Sequence, residues 1–410
     1  RPPTRSLLPE KATSNLWEKN RMAKLGDIAT IQSGGTPARS IAEYWEDGTI
    51  PWVKISDIKS KHLNQTEEMI TEVGLENSSA KIFPKGTILY TIFATLGETS
   101  ILEINAATNQ AIAGISITDS RVLPDYLYYY LLSQKIHVQK IGRGVAQNNI
   151  NMKLLRDFDV PLPSKEAQLN IIEQLNQVTE LLFLRKQQLT KLDELIKARF
   201  VEMFGDPIQN EKCWEIKSLF DLGYCKNGMN FHKGDHGVEI HCLGVGDFKD
   251  RSTIHQVENL PFVALNESPD SDYLLQDGDI VFVRSNGNKE LVGRCLAIYP
   301  ANVPVTYSGF CIRYRLTSEE ASVAYLLRVL KADSVRKKMA GRGANIQNLN
   351  QQTLSQLAIP LPPLSLQNQF ADFVAEVDKS KLFAGSAVAH KPFDIEFFSK
   401  STVQRPIKEV

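Results

Sequence analysis

The chain has 410 residues, 42% of them hydrophobic and 23% charged, which is too long for one ordinary core and enough for two or three domains. Its 47 basic and 47 acidic residues balance to a formal net charge of zero, which argues against a polybasic scaffold but leaves room for a local basic face on nucleic acid. No apolar run reaches the roughly 20 residues that span a bilayer, so no membrane partner is expected.

In chain order, residues 1–21 open with "RPPTRSLLPEK", which lacks the apolar core of a signal peptide, and precede a natural-looking start at Met22. "TILYTIF" follows a glycine turn and reads as a strand. "PDYLYYYLLSQKIHVQKI" opens on Pro124 and Asp125 and places Tyr126, Tyr130, Ile136 and Ile141 near helical spacing, as one helix. "VPLP" at 160–163 must be extended, because proline restricts its predecessor and offers no donor. From Ser164, a plausible N-cap, no glycine or proline occurs until Gly205. Ile171, Leu175, Val178, Leu182, Leu189, Leu192, Ile196 and Met203 recur there with heptad spacing, predicting a helix of about 40 residues and roughly 60 Å with one apolar seam. Such a narrow seam calls for one partner helix. Beyond it, "DIVFVR" reads as a strand, "IPLP" is extended, and Leu366, Phe370, Phe373, Val374 and Val377 continue a helical stripe as the candidate partner. The five cysteines, Cys213, Cys225, Cys242, Cys295 and Cys311, are odd in number and form no CxxC pair, which fits free thiols in the cytoplasm.

One sentence is written twice. "GRGVAQNNINMKLLRDFDVPLP" at 142–163 aligns without a gap with "GRGANIQNLNQQTLSQLAIPLP" at 341–362, and Gln168 falls on Gln367 in the same register. Weaker echoes keep the same order upstream: "IPWVKISDIK" with "IHCLGVGDFK", "KGTILY" with "DGDIVF". A period near 200 is too long for a solenoid and implies a duplicated domain. The expected fold class is mixed α/β (α+β): two pseudo-repeated modules, joined by long helices that pair as an antiparallel coiled coil and hold the modules at opposite ends of a rod. The expected divisions are 1–21 as an extension, 22–163 as module one, 164–204 as the central helix, 205–362 as module two, 363–384 as a shortened distal helix and 385–410 as an atypical tail.

Module, helix, module, helix, with "PLP…Q" opening each helix, resembles the specificity subunits of type I restriction-modification systems. "MAKLGDIATIQSGGTP" is similar to their start, "LDELIKARFVEMFGDP" to the end of their central helix, and "GRG…NNIN…VPLP" to the end of a target-recognition domain. The resemblance covers roughly residues 22–383; it departs after Leu382, where the heptads stop. It implies a chain with no catalysis of its own. Each module reads one half of a bipartite DNA target. The helices fix the spacer and dock two methyltransferase subunits, which use S-adenosylmethionine; restriction subunits, with ATP and Mg, join to cut. On this reading Ile171, Leu175, Val178, Leu182, Leu189, Leu192, Ile196, Phe370, Val374 and Val377 are the coiled-coil and partner interface.

Base edges are read by side chains in loops, and phosphates by cations. Within the repeated text the candidates are Arg143, Gln147, Asn148 and Asn149, and Arg342, Asn345, Gln347 and Asn348. Asn and Gln can pair bidentately with adenine, and an arginine between glycines can approach a phosphate. Text shared by both modules equally fits a turn that caps the next segment, and we favour that structural reading. Readout is then expected in the loops the modules do not share. Ser33, Thr36, Arg39, Lys54, Lys59 and Lys61 are the candidates in the first module, with the loop "FATLGETS". Lys226, Lys233, Arg284, Asn286, Lys289 and Arg294 are those in the second.

His232, His236, His241, Cys225 and Cys242 lie near one another in sequence but lack matched ligand spacing, so no metal is expected. "GRG" and "GVG" are not dinucleotide fingerprints, there is no Walker loop, and "FGDP" lacks the second proline and aromatic of a methyltransferase motif. The paired acids Glu67/Glu68 and Glu319/Glu320 read as solvated faces. Two rivals stand beside the main reading: a stand-alone methyltransferase or nuclease, and a coiled-coil adaptor that does not bind DNA.

Overall fold

The structure is a computed structural model that describes residues 22–143, 149–232, 234–249, 251–340 and 348–386. The chain divides into two compact units at Leu184/Arg185, inside one long helix. Both units are mixed α/β, as the sequence predicts.

In the first unit a five-stranded sheet runs in the order Ala29–Ser33, Ile112–Ile117, Ile88–Thr91, Thr99–Leu102, His62–Leu63. All pairs are antiparallel except the last, which is parallel. The central strands show no polar alternation because both faces are covered. Ile88, Tyr90, Ile101, Ala113 and Ile115 face the helices, packing with Leu127, Tyr130 and Leu131 of helix α1 (Pro124–Ser133). Leu89, Leu102 and Ile112 face a second sheet, meeting Val53, Phe83 and Ala106. That second sheet has the order Glu68–Ile70, Ile50–Val53, Ala106–Thr108, Ile82–Phe83.

The segment expected to be one helix after Pro124 is two. Helix α1 ends at Ser133 and α2 spans Lys135–Arg143, with Gln134 between them. The Ser133 hydroxyl donates back to the Tyr130 carbonyl, a local bond that competes with continuing the helix. The long helix α3 (Lys165–Phe204, 40 residues) starts where expected, with the Ala167 N–H donating to Ser164 Oγ at 3.3 Å.

The second unit repeats the plan. Its five-stranded sheet runs Gly223–Asn227, Cys311–Leu316, Asp279–Val283, Cys295–Ile298, Thr253–Ile254, with the same pattern of antiparallel and parallel pairs. Ile280, Phe282, Ile312 and Tyr314 face helix α4 (Val323–Lys331), followed by α5 (Asp333–Ala340). Val281, Val283, Leu296 and Ile298 face the second sheet. Among the described residues that sheet has three strands, Phe262–Leu265, Val238–Leu243 and Val305–Tyr307, against four in the first unit. The interior beneath it differs as well. In the first unit Phe83 lies where a Cβ on Gly114 would meet its ring at 2.3 Å. At the matching place stands Arg313, fully buried, its guanidinium 5.1 Å from the Tyr224 ring.

Within the second unit the last turns of α3 pair antiparallel with helix α6 (Leu364–Ser386). Asp193 bonds Lys381 at 2.7 Å, Arg199 lies 6.0 Å from the Phe373 ring, and Phe200 and Phe204 both meet Phe370, at 5.5 and 5.6 Å. Leu192, Ile196, Phe370, Val374 and Val377 sit in this packing, and Ile171 and Leu175 sit in the core of the first unit. Leu182 and Leu189 are half-buried and Val178 is exposed.

Candidate nucleic-acid interface

The doubled text forms a junction built twice. "VPLP" and "IPLP" give the strands Asp159–Pro161 and Ala358–Leu361, each paired antiparallel with the strand that opens its module, Met22–Lys24 or Glu215–Ser218. Tyr126 Oη donates to the Pro161 carbonyl at 2.9 Å, and Tyr325 Oη to the Pro360 carbonyl at 2.6 Å. Gln168 is fully buried: its Oε1 accepts from Leu123 N at 2.9 Å, and its Nε2 donates to Arg121 O at 2.8 Å and Pro163 O at 3.0 Å. Gln367 repeats this with Ser322 N at 2.8 Å and Glu320 O and Pro362 O at 2.9 Å each. Each glutamine satisfies three backbone groups at the place where module, proline strand and helix meet. Asn151 and Asn350 cap the short helices Met152–Arg156 and Gln351–Ser355, accepting from Leu154 N and Thr353 N at 2.8 Å.

The aligned asparagines Asn149 and Asn348 lie elsewhere. Asn149 bridges Phe93, and Asn348 bridges Ser285, in both cases at the loop that leaves the central strand Ile88–Thr91 or Asp279–Val283. Leu349 N donates to Arg284 O at 2.7 Å, and Ile150 N to Ile92 O at 3.1 Å. Arg284 Nη1 donates to Gly309 O at 3.3 Å. The segments after Ser33 and Asn227 come to the same end of each sheet through a tight crossing. A Cβ on Gly34 would lie 2.1 Å from Thr108 Oγ1, and one on Gly228 2.1 Å from Ser308 O, so only glycine passes. Each module therefore gathers loops from four separate segments at one sheet end. Ser33, Asn149, Arg284 and Asn348 are brought together there, each within its own module. Two exposed aromatics stand beside them, Phe93 at 47% and Phe310 at 62% exposure. Phe310 was not singled out from sequence; its position next to Gly309 in a non-repeated loop was the only signal.

The other candidates are placed differently. Lys54 Nζ is held by Glu67 at 2.9 Å and Glu68 at 2.8 Å, and Arg39 bonds Glu68 while stacking 3.7 Å from the Trp45 ring. The Lys54 hydrogen bonds hold both glutamates below the ordinary carboxylate range, and those with Glu68 and Glu67 raise Lys54. Glu67 and Glu68 are thus partners in an ion-pair network rather than a solvated face, and Glu320 likewise holds Lys217 at 2.5 Å. Lys59 reaches Glu67 at 3.7 Å. Lys61 bonds Asp125 at 3.2 Å and Asn176 of α3 at 3.1 Å. Thr36 donates to Gln110. Lys226 bonds Asp272 at 3.0 Å over the Tyr273 ring. Asn286 caps its own turn, accepting from Asn288 N at 2.8 Å. Arg294 donates to Lys249 O at 3.2 Å. Lys289 opens a one-turn 3-10 helix, and Arg143 ends α2; their side chains lie outside the described residues. Gln147, Asn148, Lys233, Arg342, Asn345 and Gln347 lie outside them altogether.

Among the described residues no three His, Cys, Asp or Glu side chains converge as a metal cluster, and all five cysteines are free. Burial pushes the thiols of Cys225 and Cys242 up to about 12, far from a thiolate nucleophile.

The family described as "Type I restriction modification DNA specificity domain" matches twice, at residues 17–194 and 213–384. The chain belongs to this DNA specificity family. Among curated relatives, it is 31% identical over 227 residues to the type I restriction enzyme MjaIX specificity subunit of Methanocaldococcus jannaschii. That alignment takes in 50% of this chain and spans about half of the relative (52%). It is 23% identical over 390 residues to the type I restriction enzyme StySPI specificity subunit of Salmonella potsdam, covering 88% of this chain and 81% of the relative. A chain from a solved structure of "the type I R-M system" shares the fold, with a TM-score of 0.54 at 17% identity over 93% of this chain and 95% of that one. The two family matches coincide with the two modules and their following helices, so the repeat read from the sequence is a repeat of the family domain.

Proposed function

We propose that this chain is the non-catalytic, sequence-reading subunit of a type I restriction-modification complex, in which each module reads one half of a bipartite DNA target. The observation that carries this reading is one topology built twice with different loops at the same sheet end. Shared residues, Gln168/Gln367 and Asn151/Asn350 among them, are spent on the junction. What differs between the modules lies at that sheet end, beside Ser33 and Phe93 in one and beside Arg284 and Phe310 in the other. Two modest sites in one chain act as a bivalent site, and the helix between them makes spacing part of the specificity.

On this reading the helices dock two methyltransferase subunits that carry S-adenosylmethionine, and ATP- and Mg-using restriction subunits complete the complex. Among the described residues no helix is long and apolar enough to cross a membrane. The cytoplasm, where these partners and DNA meet, is the proposed location. The test is methylome sequencing of cells expressing this chain with its methyltransferase partner. Adenine methylation at a bipartite, asymmetric site is the expected result. Methylation at a single contiguous motif, or none, overturns the reading. A coiled-coil adaptor would instead show no salt-dependent affinity for duplex DNA.

A further inference from the structure

Each module carries an exposed phenyl ring at its candidate reading end, and the two rings come from different segments. In the first module it is Phe93, just past the central strand Ile88–Thr91; in the second it is Phe310, just before the strand Cys311–Leu316. The backbones around them match position by position. Ile150 N donates to Ile92 O where Leu349 N donates to Arg284 O, and the next residues, Phe93 and Ser285, bridge Asn149 and Asn348. Ile92 N donates to Ala111 O at 2.9 Å where Arg284 N donates to Phe310 O at 2.8 Å. A serine thus stands where the first module has its phenyl, and an alanine where the second has its own. A single exposed apolar side chain is ordinary on a protein surface. Two at the same sheet end, supplied by positions that do not correspond, follow the place and not the repeated text.

Both rings are mounted on backbone that is tied down. Gly309 N donates to Met229 O at 2.6 Å, Phe310 N donates to Ser308 Oγ at 3.3 Å, and Phe310 O accepts from both Arg284 N and Ser285 N. Around Phe93, Gly97 N donates to Thr91 O at 3.0 Å and Glu98 N to Thr91 Oγ1 at 2.8 Å, while the Thr91 hydroxyl donates to Thr95 O. These bonds close the loop 92–96 at its base. An aromatic side chain on a fixed backbone loses little conformational freedom on binding, which is why such residues serve as anchors in interfaces.

We propose that Phe93 and Phe310 each lie against the C5-methyl group of a thymine in the major groove, so that each module reads one thymine of its half-site by that methyl. The inference rests on the DNA-reading function proposed above. The thymine methyl is the apolar group on the base edges of the major groove, and phenylalanine is among the side chains that meet it. The rival contact is a wedge driven between base pairs, which needs both faces of the ring free. At 47% and 62% exposure, Phe93 and Phe310 keep much of their surface against their own modules, which suits a grazing contact with a methyl.

The test uses the full chain in complex with its methyltransferase partner and a duplex bearing the site found by methylome sequencing. Each thymine of the two half-sites is replaced in turn by deoxyuridine, which removes the methyl and keeps every hydrogen-bonding group. One position in each half-site is expected to lose about four-fold in affinity, the worth of one buried methyl. Phe93→Ala is expected to abolish that loss in one half-site and Phe310→Ala in the other. Phe220→Ala, before the first residue of the strand Gly223–Asn227 and so at the opposite end of that sheet, is expected to leave both. Because the readout compares two duplexes on one protein, a general loss of stability in a variant does not imitate it. Deoxyuridine effects that are absent from the parent, or that persist unchanged in both variants, overturn the proposal. Absent deoxyuridine effects with 2-aminopurine fluorescence that rises on binding to the parent, and not to the variants, overturn it in favour of wedges. A parent complex with no preference for the site over a mixed-sequence duplex overturns the DNA-reading function, and this proposal with it.

Discussion

At the scale of single residues, the buried polar groups divide into those that are satisfied and those that are not. Gln367 satisfies three backbone groups from full burial, so Gln367→Ala leaves them without partners inside the protein. Each such loss costs about 1–3 kcal/mol. We expect about 3 kcal/mol of destabilisation by denaturant unfolding, where a surface glutamine would show less than about 0.5 kcal/mol. Arg313 is the opposite case. Its guanidinium is buried, and Nε, Nη1 and Nη2 have no hydrogen-bond partner. Arg313→Met is expected to leave stability unchanged or raise it by about 1–3 kcal/mol, since replacing a buried charge by an apolar chain of similar length often does so. A lower melting temperature for Arg313→Met would show that the Tyr224 ring contact outweighs desolvation. The sequence displayed Gln168 and Gln367 as an aligned pair but did not reveal their roles. The roles depend on Leu123, Arg121 and Pro163 arriving at one point, which is a tertiary event. Lys54 and Arg39 were legible as cations but not as neutralised ones. Their partner Glu68 is supplied by strand register, Trp52 opposite Glu68, and register is not written in local spacing.

Among the elements, the helices were the most legible. Heptad counting located α3 and placed Ile196, Phe370 and Val377 in a packed seam. It passed over the aromatic centre, because aliphatic a/d positions were counted and Phe200 and Phe204 lie at i+4 steps from Ile196. Phe200 touches Phe204, Tyr325 and Phe370 at ring separations of 5.1, 5.8 and 5.5 Å. Phe200→Ala is expected to cost about 3–5 kcal/mol, read by thermal or denaturant unfolding of the full chain. Val178→Ala, at an exposed position of the same helix, serves as the comparison and is expected to cost under about 1 kcal/mol. The split of the post-Pro124 helix at Gln134 was not legible, since both halves carry helical periodicity and only a hydroxyl bond marks the break. The strands with continuous burial, such as Ile88–Thr91, were found because β-branched runs after a glycine turn need no alternation to be recognised.

For the molecule as a whole, the duplication was the most informative signal in the sequence, and it carried the fold class, the module count and the family. What it could not carry was the interface, because the residues that distinguish the modules are by definition outside the repeat, and much of the central repeat text lies outside the described residues. The proposed division of labour makes two linked predictions for methylome sequencing. Inserting or deleting helical turns within 171–200 is expected to change the unread spacer and leave both half-sites intact. Exchanging residues 22–141 for those of a relative is expected to change one half-site alone. Half-sites altered by the helix change would remove the spacing role from the helix.

The glutamine junction has a consequence for inheritance. Its text occurs twice in one register, 199 residues apart from Gly142 to Gly341. A crossover within that text, between two related genes or between its two copies in one gene, joins a module to a helix through residues that are equivalent on both sides. The product keeps a proline strand, a tyrosine bond and a buried glutamine, whichever parent supplied each. Recombination at this point therefore exchanges whole modules while keeping the junction's own bonds, and leaves only the helix residues that pack on each core, Leu175 in one and Phe370 and Val377 in the other, to be matched. The feature that holds each half together is also the one that lets a lineage trade halves.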